Sequence, residues 1–115
     1  MITWKNMDTL AAYQELQAAE RVNLPAAMSG ENGAERVKKY SVPMGCGMDF
    51  NFGARPVNDE ILAIMADFAK EQQLVEKFAE LYNGAVINTG EKRRVLHHMC
   101  RGQLGEAVMA DGVDK

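Results

Sequence analysis

Positions 91–101 bring together Glu91, Lys92, Arg93, Arg94, His97, His98, Cys100 and Arg101, and no other stretch of the chain is as rich in reactive groups. On a helix, Arg93, His97 and Arg101 stand four apart and share one face. Three potential cations in a row repel one another unless an anion meets them. Arginine offers forked donors suited to phosphate or carboxylate, so one reading is an anion site. The plainer reading, which spacing alone favours, is a solvated face or an ion-pair network tying this segment to a neighbour. His97 and Cys100 have metal-ligand chemistry, but a closed zinc site needs four ligands, usually in recognisable pairs, and Cys46 is far away in sequence. Cys100 has imidazole and guanidinium groups nearby that would lower a thiol pKa. A lone cysteine on an apolar helix side is nevertheless read first as a small core residue. Gly45-Cys46-Gly47 is too short to specify a phosphate loop, and a hairpin tip accounts for its glycines. The eight methionines are scattered and read as core filler. From the residues themselves no catalytic, cofactor-binding or metal-ligating position is assigned.

The elements that position these groups belong to a small chain. Its 115 residues fit one domain or part of one, and at this size an ordinary core forms without staples. Hydrophobic residues at 47% and charged residues at 25% place it with globular proteins. A net charge of −3 and a pI near 5.4 argue against a nucleic-acid footprint. Two distant cysteines are no disulfide framework and suit a reducing cytoplasm. Lys5, Asp8, Glu15 and Glu20 break up the first twenty residues, so no signal-peptide block is present. The apolar runs fall short of the roughly 18 residues of a membrane span. A cytoplasmic protein without a membrane segment is expected.

Asp8 can cap a helix from Thr9 to about Glu20, with Leu10, Tyr13, Leu16 and Ala19 at helical spacing. Pro25 suits the first turn of a short helix through Met28. Ser29 to Gly33 reads as punctuation before a helix over Ala34 to Lys39. Tyr40 to Met44 and Met48 to Phe52 flank the Gly45-Cys46-Gly47 turn as a β-hairpin, with Pro43 making the first strand an edge. Asn58 caps the strongest helix, whose apolar stripe runs through Ile61, Leu62, Ile64, Met65, Phe68 and Ala69. The stripe resumes at Leu74, Val75, Phe78, Leu81 and Tyr82 after the polar gap Glu71-Gln72-Gln73. Two short helices are favoured over one long one, with Asn83-Gly84 as the stop. A last helix is expected from Glu91 to Cys100, with Val95, Leu96 and Met99 inward and Gly102 beyond it. Ala107 to Ala110, before Asp111-Gly112, reads as an apolar strand with nothing after it to pair with. The expected fold class is mostly α with one short β-hairpin (α+β).

The run Asn83-Gly84…Ile87-Asn88…Glu91-x-Arg93-x-Val95-Leu96-His97…Arg101 resembles the glucose-6-phosphate isomerase family pattern Asn-Gly-x-x-Ile-Asn-x-Thr-Glu-x-Arg-Ala-Val-Leu-His-x-Ala-Leu-Arg, aligned without a gap. Thr3-Trp4 is similar to the family's opening Thr-Trp. Glu35-Arg36-Val37 with Tyr40-Ser41 resembles the lead into its hairpin, and Asn51-Phe52 stands in the place of an Asp-Tyr. Gly90, Arg94, Ala54 and Pro56 depart from it, standing for Thr, Ala, Lys and Arg. The resemblance implies an N-terminal segment of an α/β sandwich sugar isomerase. Residues 1–115 would form a single N-terminal domain or fragment, and the catalytic sugar-phosphate-binding domains would be absent. The family interconverts glucose 6-phosphate and fructose 6-phosphate through ring opening and a cis-enediol. Its carboxylate base, ring-opening pair and phosphate-binding hydroxyls lie C-terminal of the matched motif, so the fragment alone is expected to be inert.

Glu91, Arg93, His97 and Arg101 then read as a structural motif. Glu91 would pair with Arg93 or Arg101 in buried or interdomain ion pairs. The implied partners are the remainder of the isomerase chain and a second subunit, with no cofactor, nucleic acid or membrane, and sugar phosphate meeting only the full-length enzyme. A cut fragment is expected to expose apolar surface and to self-associate. Rival readings are a stand-alone helical interaction module and a small phosphate-binding protein using Arg93, His97 and Arg101.

Overall fold

A computed structural model describes residues 1–101, 107–110 and 113–114. It contains two compact units, one of Met7–Phe68 and one of Met1–Asn6 with Ala69–Lys115.

The first unit opens with a 3₁₀ turn, Met7–Thr9, followed by α1 (Ala11–Ala18). Asp8 does not cap α1 as expected. It lies inside the turn, where its carbonyl accepts from Gln14 Nε2 at 2.8 Å. Leu10 takes the cap position and is buried with Ala12, so the apolar anchor sets the helix start. Asn23 caps α2 (Leu24–Ala27), its Oδ1 accepting from the Ala26 N–H at 3.2 Å. The α3 helix (Gly30–Lys39) begins four residues before the expected Ala34. The supposed punctuation is its first turn, and the reason is steric. A Cβ at Gly33 would lie 2.4 Å from the Met28 carbonyl oxygen, so only glycine lets the helix cross that backbone.

Strands β1 (Ser41–Gly45) and β2 (Met48–Asn51) form the expected hairpin, with Val42 opposite Phe50 and Pro43 opposite Asp49. A register shift between Pro43 and Gly45 marks a bulge beside the Cys46-Gly47 tip. Asn58 caps α4 (Asp59–Glu71) as its sequence suggests, its Oδ1 accepting from the Ile61 N–H at 2.8 Å. Ile61 is buried, and Leu62, Ile64, Phe68 and Ala69 are half-buried along the predicted stripe, whereas its Met65 is exposed.

The polar gap does split the stripe into two helices. Gln73 adopts the left-handed region at φ 52°, and α5 (Leu74–Tyr82) follows. Asn83-Gly84 ends α5 as a Schellman motif: Gly84 N–H donates to Leu81 O at 3.1 Å and Ala85 N–H to Glu80 O at 2.9 Å, with Gly84 at φ 82°. Strand β3 (Met109–Ala110) pairs antiparallel with β4 (Val113–Asp114). The strand expected to lack a partner therefore finds one in the next residues. Gly102 and Asp111-Gly112 lie outside the described residues.

The fold class stands as expected: among the described residues helices dominate, with the β1–β2 hairpin as predicted and the two-residue β3–β4 pair in addition. Each unit has a thin core: among the described residues the buried apolar ones are Leu10, Ala12, Tyr40 and Ile61 in the unit Met7–Phe68 and Val108 in the other.

Candidate functional site

The expected helix over 91–100 does not form. Asn88 and Arg93 exchange backbone hydrogen bonds at 3.3 and 3.1 Å, closing a tight loop. Inside it, Asn88 Oδ1 accepts from the Glu91 N–H at 3.1 Å and Asn88 Nδ2 donates to Glu91 Oε2 at 3.3 Å. Lys92 sits in the left-handed region at φ 54°. An asparagine side chain that bonds the backbone three residues on offers an alternative to helix, and here it prevails. Only a 3₁₀ turn follows, His97–Arg101. The four-residue spacing of Arg93, His97 and Arg101 therefore makes no shared stripe.

Glu91, Arg93, His97 and Arg101 are all exposed in this chain. Glu91 and Arg93 do pair, at 3.9 Å, but their side chains are 64% and 77% exposed rather than buried. Such a pair adds little stability. Cys100 is exposed too, contrary to the core reading, as is Cys46 at the hairpin tip.

The residues that hold this region are their neighbours. Arg94 Nε donates to the Gly84 carbonyl at 2.7 Å. The His98 ring stacks on Tyr82 with centroids 4.4 Å apart, and its Nε2 lies 3.1 Å from the Tyr82 carbonyl. Both side chains thus meet the C-terminal end of α5, where carbonyls lack helical partners and positive groups are favoured. Val108 is buried nearby, its Cγ1 3.2 Å from where a Gly84 Cβ would stand.

The same unit pins its N-terminal residues with the glutamines that interrupt the helical stripe. Thr3 donates from its N–H and its hydroxyl to Gln73 Oε1, at 2.8 and 3.1 Å. Gln73 Nε2 donates to the Met1 carbonyl at 3.2 Å, and Gln72 Nε2 to the Lys5 carbonyl at 3.3 Å. Lys77 lies 4.6 Å above the Trp4 ring while donating to Gln72 Oε1 at 2.9 Å.

In the unit Met7–Phe68 one guanidinium organises the crossover from hairpin to α4. Arg36 donates to the carbonyls of Gly53 (2.7 Å), Arg55 (2.7 Å) and Val57 (2.6 Å), with its carbon 4.7 Å from the Tyr40 ring centroid. Next to it Asp59 accepts from Lys39 Nζ at 2.5 Å and from the Tyr40 hydroxyl at 3.0 Å. The Lys39 hydrogen bond, seconded by Tyr40, holds the Asp59 carboxyl below its ordinary value, and the same bond raises Lys39. Sequence reasoning passed over Arg36. The available signal was an Arg four residues before an aromatic on one helix face, within the segment that resembles the family's lead into its hairpin.

Arg36 and Arg94 thus aim at backbone carbonyls and His98 lies within hydrogen-bond reach of one, while Asp59 holds a lysine and a tyrosine. Among the described residues no three His, Cys, Asp or Glu side chains converge as a metal site requires. No helix among them is long and apolar enough to cross a membrane.

Comparison with known proteins gives concordant matches. A family model described as phosphoglucose isomerase matches residues 51–115. A glucose-6-phosphate isomerase of Treponema denticola is 46% identical over 116 residues, covering 96% of this chain and 22% of that protein. One of Treponema pallidum (strain Nichols) is 46% identical over 100 residues, covering 87% of this chain and 19% of that protein. One of Borrelia garinii subsp. bavariensis is 34% identical over 112 residues, with coverage of 96% and 20%. The chain spans about a fifth of the length of these curated relatives.

Proposed function

The chain belongs to the phosphoglucose isomerase family, and on that premise we propose that it is the N-terminal part of an enzyme interconverting glucose 6-phosphate and fructose 6-phosphate. In this reading residues 1–115 brace the enzyme and supply none of the reacting groups. The observation that carries it is the use made of the polar side chains: Arg36 and Arg94 bond backbone carbonyls at 2.6–2.7 Å, and the Gln72-Gln73 pair ties down residues 1–5. The N–H groups of Arg36 that meet the Gly53, Arg55 and Val57 carbonyls are spent on the main chain and hold the crossover rather than a sugar phosphate.

The chemistry assigned to the whole enzyme opens the sugar ring and moves a proton between two adjacent carbons. It needs a base and phosphate-binding donors held in fixed geometry. The remainder of the isomerase chain would supply them. A cytoplasmic, homo-oligomeric enzyme serving glycolysis and gluconeogenesis completes the reading.

The test uses the full-length polypeptide containing this chain. Arg36→Ala and Arg93→Ala are assayed for turnover and for thermal unfolding. Bracing predicts a lowered melting temperature for Arg36→Ala with KM for the sugar phosphate unchanged. A fall in turnover with unchanged melting, in either variant, would assign the arginine to the reaction and refute the reading.

A further inference from the structure

The β1–β2 hairpin carries its apolar side chains outward. Val42 stands opposite Phe50, and by strand alternation Met48, Phe50 and Phe52 share that face. Phe50 and Phe52 stack with centroids 6.0 Å apart, and Phe52 meets Tyr40 at 5.5 Å. The root of this face is covered, since Tyr40 is buried and Phe52 half-buried. Towards the tip Val42, Met44, Met48 and Phe50 are all exposed. The opposite face carries Ser41, Pro43, Asp49 and Asn51, and Asn51 ties it to α3 by donating to the Val37 carbonyl at 2.6 Å. One face is therefore mostly polar and anchored, and the other is apolar and bare.

A two-stranded hairpin is marginal in water unless something packs on it. We infer that the apolar face of this hairpin, at Val42, Met48 and Phe50 with Met44 at the adjoining bulge, is the seat on which the rest of the isomerase polypeptide docks, through an uncharged apolar surface of its own. The inference rests on the proposed function, and two observations choose this occupant. The curated relatives are about five times as long as the chain, so an isomerase polypeptide of that length has ample further chain to supply the cover. The four exposed side chains offer on the order of 400 Å², about half of the ~800 Å² per partner that a stable interface between separate chains buries. A cover in the same chain escapes the entropy of association and holds with less area. None of the four is charged, which suits permanent burial.

Peroxide oxidation of Met44 and Met48, followed by mass spectrometry, tests this on the full-length polypeptide, with the guanidinium-unfolded protein as reference. Docking predicts oxidation slowed at least about tenfold at both sulfurs. Rates within about twofold of the reference, as the 61% and 58% exposure of the uncovered hairpin dictates, would overturn it even in a fully active enzyme. Protection of the 115-residue chain alone that grows with its concentration would make the occupant a second copy, and also overturn it. Protection without isomerase turnover in the full-length protein would uphold the docking seat and refute the functional reading. A reading frame that stops at Lys115 would refute both.

Discussion

The crossover gripped by Arg36 and the loop carrying Glu91 and Arg93 are made of similar groups put to opposite uses. Arg36 is half-buried beside the Lys39–Asp59 pair and reaches three carbonyls that lie outside any strand or helix. Arg93 sits in the densest run of charge in the chain, yet its side chain pairs at 3.9 Å with an exposed Glu91. The difference teaches that a guanidinium matters here according to the acceptors it meets rather than the charges beside it in sequence. Charge-assisted bonds from a half-buried guanidinium to main-chain carbonyls are worth more than an exposed ion pair, most of all at the buried Gly53, whose carbonyl would otherwise lose its donor.

Substitutions at the two regions sharpen this contrast. Arg36→Ala removes three bonds at once and is expected to lower urea-unfolding stability by about 3 kcal/mol. Arg36→Lys should recover only part, since an ammonium cannot fork to the same acceptors. A loss below about 1 kcal/mol for the alanine variant would break the comparison. Next in size is Gly84→Ala, at φ 82° with Val108 close by, with an expected cost of about 1–2 kcal/mol measured the same way. Asn58→Ala, which deprives α4 of its cap, should cost about 1 kcal/mol by the same denaturation measurement. Arg93→Ala should change stability by less than about 0.5 kcal/mol, and a cost near that of Arg36→Ala would erase the distinction drawn here.

The pair Lys39–Asp59 adds a pH dimension. Asp59 is lowered in the folded state from its ordinary 3.8. Its contribution is therefore present above pH 3.8 and is lost as pH falls through the lower folded value. Lys39 is raised above 10.5, so its share persists up to that pH and disappears as pH climbs through the higher folded value. Asp59→Asn should flatten the acid limb of a stability-against-pH curve while leaving the neutral region nearly level. Identical acid limbs in both proteins would count against the pair.

Much of the helical framework was legible because its signals are local. The Asn58 cap, the stripe from Ile61 to Phe68, the Gln72-Gln73 interruption and the Asn83-Gly84 stop each act within a turn or two, and each appears where the sequence puts it. The hairpin was legible through glycines flanking Cys46. The run 88–101 was misread because its charged residues carry good helix propensity, whereas the deciding bond is a side-chain-to-backbone contact from Asn88 to Glu91. Arg94, one of the charged cluster and a departure from a small alanine, bonds the Gly84 carbonyl, a partner that sequence does not reveal. Gly33 read as a loop because its need is a close approach to Met28, a contact between neighbouring elements that composition does not reveal. The clamps on backbone carbonyls were hidden for the same reason: the acceptors belong to the main chain and carry no residue signature.

A coupled assay of the purified 115-residue chain with fructose 6-phosphate, reading glucose 6-phosphate formed, puts the bracing role to its most direct test. The account predicts no turnover above the buffer rate from this chain and turnover from the full-length polypeptide. Sustained isomerisation by the 115 residues alone would mean that they carry reacting groups, and would contradict it.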